Sequence, residues 1–215
     1  MKQPVRNRRR NQKGNALLEF AIVSIVIIPL FFGMVGVGVN LGHMNQVLQI
    51  TRDAGHMYAK GVDFSVAANQ NILVNLATGT GFAATGGNGV MMFSEVIQVY
   101  LADCTAAGYT SSNCTNLNKL VFTNRIVVGD STIRASNYGT PSSTIVSSNG
   151  NIAPSDYLTN SSAVVGGTFS SELTTAGLTL NDGDVAYATE FYLQTPDISF
   201  LGTVGSSGVY AKAIF

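Results

Sequence analysis

The chain predicts an α+β fold, with one long helix at its front and an antiparallel β-sheet behind it. Three observations carry that prediction. Residues 16–39 are a run of 24 apolar or small residues in which Glu19 is the only charge. Apolar residues then recur at helical spacing to about Gly61. Beyond residue 90 the chain changes to short β-branched and aromatic runs separated by Gly, Ser, Asn and Thr, the pattern of strands and turns.

The apolar run comes first. As a helix it reaches about 36 Å, enough to cross a hydrocarbon core of about 30 Å with some tilt. Pro29 lies inside the run and is expected to kink it rather than end it. Before it stands a basic leader: Lys2, Arg6, Arg8, Arg9, Arg10 and Lys13. The formal net charge is zero, yet six of the 12 basic residues fall in the first 13 positions and all 12 acidic residues come at or after Glu19. A basic head by itself opens a nucleic-acid reading. Directly before a long apolar run it reads instead as cytoplasmic retention by the positive-inside rule. The expectation is therefore a single pass through the cytoplasmic (inner) membrane, N-terminus cytoplasmic and body outside, with no nucleic-acid partner.

Three readings compete for residues 1–39. A cleaved secretory signal has an apolar core of about 7–15 residues, and this one is much longer. A plain uncleaved anchor is the second. The third is a leader cut on the cytoplasmic side between Gly14 and Asn15, leaving the apolar helix on the mature chain. Glu19 bears on the choice. A carboxylate in a membrane helix costs about 2.5–3.5 kcal/mol at mid-bilayer and less near the interface, and it persists most readily beside a partner. A new amino terminus at Asn15 would supply a positive charge one helical turn from Glu19, on the same chain or on a neighbouring subunit.

Past the anchor, Leu41, Met44, Leu48, Thr51, Gly55, Tyr58 and Val62 recur on one helical face, with Gln46, Gln49, Asp53, His56 and Lys60 on others. Val66 to Leu76 reads as a second short helix. Thr78 to Gly89 is Gly- and Thr-rich but lacks the Gly-x-x-x-x-Gly-Lys-Ser/Thr phosphate loop, so it reads as a flexible connector. Strands are expected at Val96–Leu101 and at Leu120–Val128, the latter with Leu120, Phe122, Ile126 and Val128 on one face. A turn at Gly129-Asp130 would lead to a partner strand, Ser131–Ser136. Residues 137–183 read as long loops with short strands near Ser143–Val146, Val164–Phe169 and Leu178–Leu180. Val185–Leu193 alternates best, and Val209–Phe215 closes the sheet. A sheet packed on an amphipathic helix is the economical way to bury both apolar faces.

Cys104 and Cys114 are the only cysteines. In an oxidising compartment they can close a small disulfide loop worth about 3 kcal/mol; otherwise they are two unrelated thiols. No further Cys or neighbouring His completes a metal site. Asp182 and Asp184 lack the rest of a calcium loop and read as turn residues. His43 and His56 read as solvated side chains on the helix, and no Ser/His/Asp set can be assembled. The expectation is no enzyme, no catalytic residue, no metal and no cofactor.

The stretch Gly14-Asn15-Ala16-Leu17-Leu18-Glu19-Phe20 resembles the prepilin processing signature: a Gly, four residues, then a Glu and an aromatic. With the arginines before it and Ala-Ile-Val after it, residues 6–64 resemble the TadE-like minor pseudopilins of tight-adherence (Flp, type IVc) pilus systems. Residues 50–59, Ile-Thr-Arg-Asp-Ala-Gly-His-Met-Tyr-Ala, are similar to that family's helix beyond the membrane. The resemblance implies a pilin-like fold, cleavage after Gly14 by a prepilin peptidase, and assembly through Glu19 and Phe20. The implied partners are other pilins and pseudopilins and the pilus assembly platform, in a pilus or a related type II-like secretion apparatus. The domain plan that follows is a cleaved leader (1–14), a transmembrane helix (15–39), an extracytoplasmic helical region (40–77), the Gly-rich connector (78–89) and a β-rich head (90–215). The alternative is a permanently anchored β-rich binding module or adhesin with its leader intact.

Overall fold

The structure is a computed structural model describing the backbone of residues 12–194 and 208–215 and the side chains from residue 16 onward. The chain divides into two compact units. The described part of the first is residues 12–42, and that of the second is residues 43–194 and 208–215.

The first unit is the leading part of α1, a helix assigned over Gln12–Ala59 that contains Pro29. Its residues are apolar all round, so no face is reserved for a core of its own. Leu17, Phe20, Ile25 and Met34 are each more than 70% exposed.

The second unit holds the last turns of α1, α2 (Ala67–Leu76), β1 (Gly89–Gln98), α3 (Leu101–Ala106), β2 (Leu120–Gly129), α4 (Pro154–Thr159), α5 (Gly167–Thr175), β3 (Ala186–Gln194) and β4 (Gly208–Ile214). The four strands form one antiparallel sheet in the order β2-β1-β3-β4. Both faces are covered. Against one lie the end of α1 and α2, through Val47, Ile50, Ala54, Tyr58, Phe64 and Leu73. Against the other lies a layer of loops and short helices, through Tyr138, Leu158, Phe169 and Leu173. Two-sided cover explains why β1 is buried almost without alternation.

The helix approaches the sheet closely because Gly55 has no side chain. A Cβ there would stand 3.0 Å from Thr189 Oγ1 and closer still to the ring of Phe215. Around that contact the aromatics interlock. Phe64 and Phe93 stack with ring centroids 4.5 Å apart, and Tyr58 lies 5.2 Å from Phe93.

Several expectations are corrected. The buried stripe of α1 is Val47, Ile50, Thr51, Ala54, Gly55 and Tyr58, while Leu41 and Met44 are exposed. The stripe begins only where the sheet begins to cover the helix. Leu120 and Phe122 do not share a face with Ile126 and Val128. The pairing register slips between Glu95 and Val96, which face Asn124 and Phe122. The extra residue, Thr123, reverses the alternation of β2, sending Phe122 and Val128 into opposite cores. β1 starts seven residues before the expected Val96, and Leu101 opens a helix.

Ser131–Ser136 is not a strand. Asp130 Oδ1 accepts hydrogen bonds from the N–H and hydroxyl of Thr132, a turn that carries the chain off the sheet edge. Val164–Phe169 is broken at Gly166, and Phe169 and Leu173, four residues apart, become the buried face of α5. Ser143–Val146 and Leu178–Leu180 are not strands either; Val146 makes a lone bridge to Ile152. The Gly-rich stretch is pinned rather than free, because Phe82 is buried against Phe191 and Gly87 bridges back to Phe82.

Candidate functional site

Residues 1–11 of the expected leader, 1–14, lie outside the described residues. Gly14 and Asn15 belong to the backbone of α1, and their surroundings also lie outside. Glu19 is exposed on the helix and makes no hydrogen bond or ion pair with any described residue; Phe20 beside it is 71% exposed. The helix carries a window of mean hydropathy 2.6, none of it buried. It is the one helix among the described residues long and apolar enough to cross a membrane. Pro29, Leu30, Gly33, Met34 and Val37 line a shallow apolar groove on it. A Cβ at Gly33, Gly36, Gly38 or Gly42 would meet nothing within 4 Å, so these glycines leave the helix surface open.

In the second unit Cys104 and Cys114 are joined by a disulfide, and both are buried. It ties α3 to the turn before β2, inside the core that also holds Leu158 and Phe169. His43 and His56, expected as solvated side chains of the helix, differ from each other. His56 is exposed and lies 4.3 Å from the Phe215 ring. His43 is half-buried, its Nδ1 sealed from solvent with no hydrogen-bond partner among the described residues. Asp184 Oδ2 accepts from the backbone and side-chain nitrogens of Asn181, closing an exposed turn. Among the described residues no three His, Cys, Asp or Glu side chains converge as metal ligands.

Two polar constellations escaped the sequence reading. The first is a charged network on the sheet face covered by the loops. Arg125 on β2 and Glu190 on β3 lie 3.7 Å apart with side chains 3% and 1% exposed. Glu190 also accepts from the hydroxyls of Ser136 and Tyr210 and from the Asn137 N–H. Burial lowers the pKa of Arg125, and Glu190 opposes that shift. Burial and then the bond to Glu190 raise that of Tyr210. Arg134 covers the ring of Tyr210 at 4.2 Å, and Tyr138 and Lys212 both donate to Glu172 nearby. Most of these polar groups partner one another, with Arg125 Nε buried and without a hydrogen bond to any described residue, and together they join the loops to the sheet. The signal was a Glu centred in the apolar run Val185–Leu193, which calls for a buried partner.

The second is a polar cavity of about 200 Å³ on the other face, where the end of α1 meets the register slip. It is lined by Tyr58 and Asp63, by Glu95 and Asn124 from the sheet, and by Asn149 and Asn151. Its signal was weak, since the residues come from four separate stretches.

No protein-family model, curated protein or solved structure matches this chain.

Proposed function

We propose that this chain is a membrane-anchored assembly subunit of the TadE-like minor pseudopilin kind. It would be processed after Gly14 by a prepilin peptidase, would hold its second unit outside the inner membrane, and would serve a tight-adherence pilus or a related secretion apparatus. The observation that carries the reading is Glu19, an exposed carboxylate without a partner among the described residues in an otherwise apolar exposed helix, five residues after a Gly that follows six basic residues. Cleavage supplies the missing partner. The amine at Asn15 of one subunit pairs with Glu19 of its neighbour, which fixes the axial register of packed helices and makes assembly depend on processing. The exposed apolar face from Leu17 to Val37 then meets lipid or neighbouring helices. The second unit, disulfide-closed and covered on both sheet faces, suits an oxidising compartment.

The second reading is a permanently anchored binding module. The polar cavity beside Glu95 favours it. Amino-terminal sequencing of the protein isolated from membranes separates the two. The pseudopilin reading requires Asn15 as the first residue, and an intact leader sinks it.

A further inference from the structure

The cavity at the end of α1 is acidic: Glu95 and Asp63 are the only charged residues in its lining. Glu95 lines it and makes no side-chain hydrogen bond or ion pair with any described residue. Asp63 and the phenol of Tyr58 lie close by, and no Lys, Arg or His is among the lining residues. The C-terminal end of a helix adds the negative pole of its dipole. Here α1 ends at Ala59, and at the rim Gly61, with a left-handed φ of 88°, lets the N–H groups of Gly61 and Val62 fold back onto the carbonyls of Tyr58 and Met57. The register slip is what places Glu95 and Asn124 side by side here. The opposite wall is the turn at Gly150, where any Cβ would collide with Ile126 and with the carbonyl of Arg125.

We propose that this cavity is a binding site for a primary ammonium group, presented by a lysine side chain of a neighbouring subunit or by a free amine. The amide oxygens argue against a metal ion. Asn124 Oδ1 accepts from Tyr58, Asn151 Oδ1 from Asn124, and Asn149 Oδ1 from Ser147 and Asn151. Asp63 Oδ1 accepts from the Ser65 N–H. Among the lining carboxylate and amide oxygens, only those of Glu95 and one of Asp63 accept nothing from a described residue, so a calcium ion taking about 6–8 oxygens would have to draw most of its shell from amide oxygens already engaged or from water. An ammonium needs less: its N–H donors meet the Glu95 carboxylate and the free oxygen of Asp63, and its methylene stem lies along Val62 and Ile126, which also line the cavity. Burial raises the pKa of Glu95, the response of a carboxylate still lacking a counter-ion. The proposal stands whether or not the leader is removed.

The test uses the full chain in detergent micelles, with glutamate labelled at the side-chain carboxyl carbon and followed by NMR. Titration with Nα-acetyl-lysine amide should move the Glu95 signal to saturation, while Nα-acetyl-norleucine amide should not. Glu95→Gln should weaken binding of the lysine amide, followed through the amide signals of the cavity, by about tenfold or more. An equal response to the norleucine probe, no saturation with either, or saturation by calcium chloride instead overturns the proposal. The comparison of probes on the unaltered chain decides the matter even if the variant fails to fold. Carbodiimide coupling in membranes then separates the sources. An isopeptide from Glu95 to another subunit's lysine marks a protein partner, coupling only to added cadaverine marks a free amine, and no coupling counts against the site.

Discussion

The guanidinium of Arg125 and the carboxylate of Glu190 lie 3.7 Å apart at the centre of the sheet, in side chains that are 3% and 1% exposed. Neither charge has water to fall back on. Removing one member strands the other, and such losses run to about 3–5 kcal/mol. Glu190→Ala and Arg125→Ala should each destabilise the folded chain by about that amount in chemical denaturation. The double replacement Arg125→Met with Glu190→Leu should cost less than the two single losses added together, because no charge is stranded, although Ser136, Asn137 and Tyr210 lose their acceptor. Costs that simply add in the double variant would mean the two residues act independently.

The disulfide gives a second expectation. Cys104 and Cys114 enclose a loop of ten-residue separation, and in the chain-entropy model a loop of that size contributes about 3 kcal/mol. Replacing both with Ala should lower stability by about that much. Because both are buried, dithiothreitol should reduce the bond slowly in the native chain and quickly in denaturant. Rapid thiol labelling of the native protein under mild reductant would contradict this placement.

The parts legible in the sequence were those with one strong periodic signal. The apolar run, the helix to about residue 60, α2, and the strands at Leu120–Gly129, Ala186–Gln194 and Gly208–Ile214 all carry such a signal. The covering layer did not. Residues 131–183 are polar and glycine-rich, and their few apolar anchors, Tyr138, Leu158, Phe169 and Leu173, are buried by long-range packing rather than by local periodicity. The register slip at Glu95 was equally hidden, since a bulge appears only when two strands are laid side by side. Glu19 was legible because a lone charge in an apolar run stands out. Glu95 was not, because its cavity is assembled from four distant stretches.

For the assembly reading, Glu19→Ala removes the only charge between Ala16 and Val39. Membrane insertion should be preserved or improved, since a carboxylate in a membrane helix is costly. Cleavage after Gly14 should still occur, while filament formation or complementation should drop sharply. Glu19→Asp, which keeps the charge on a shorter stem, should restore part of the function. A Glu19→Ala chain that assembles like the parent would remove the pairing role from the proposal.

Glu95 gives a pH signature independent of any ligand. Burial raises its pKa above the ordinary value near 4.5, so the folded chain holds this proton more tightly than the unfolded chain does. The sign follows from linkage. The favourable contribution of the protonated group is fully present below the unfolded value and is lost as pH rises through the folded value. At neutral pH the ionised, half-buried carboxylate is therefore a burden. Glu95→Gln, neutral throughout, should be more stable than the parent near pH 7, and the gap should close as pH falls below about 4.3. Denaturation midpoints of both chains from pH 3.5 to 7.5 at constant ionic strength measure this directly. A parent chain more stable than Glu95→Gln at neutral pH would mean that the carboxylate already has a cationic partner within the folded chain, and the cavity would then need no ammonium from outside.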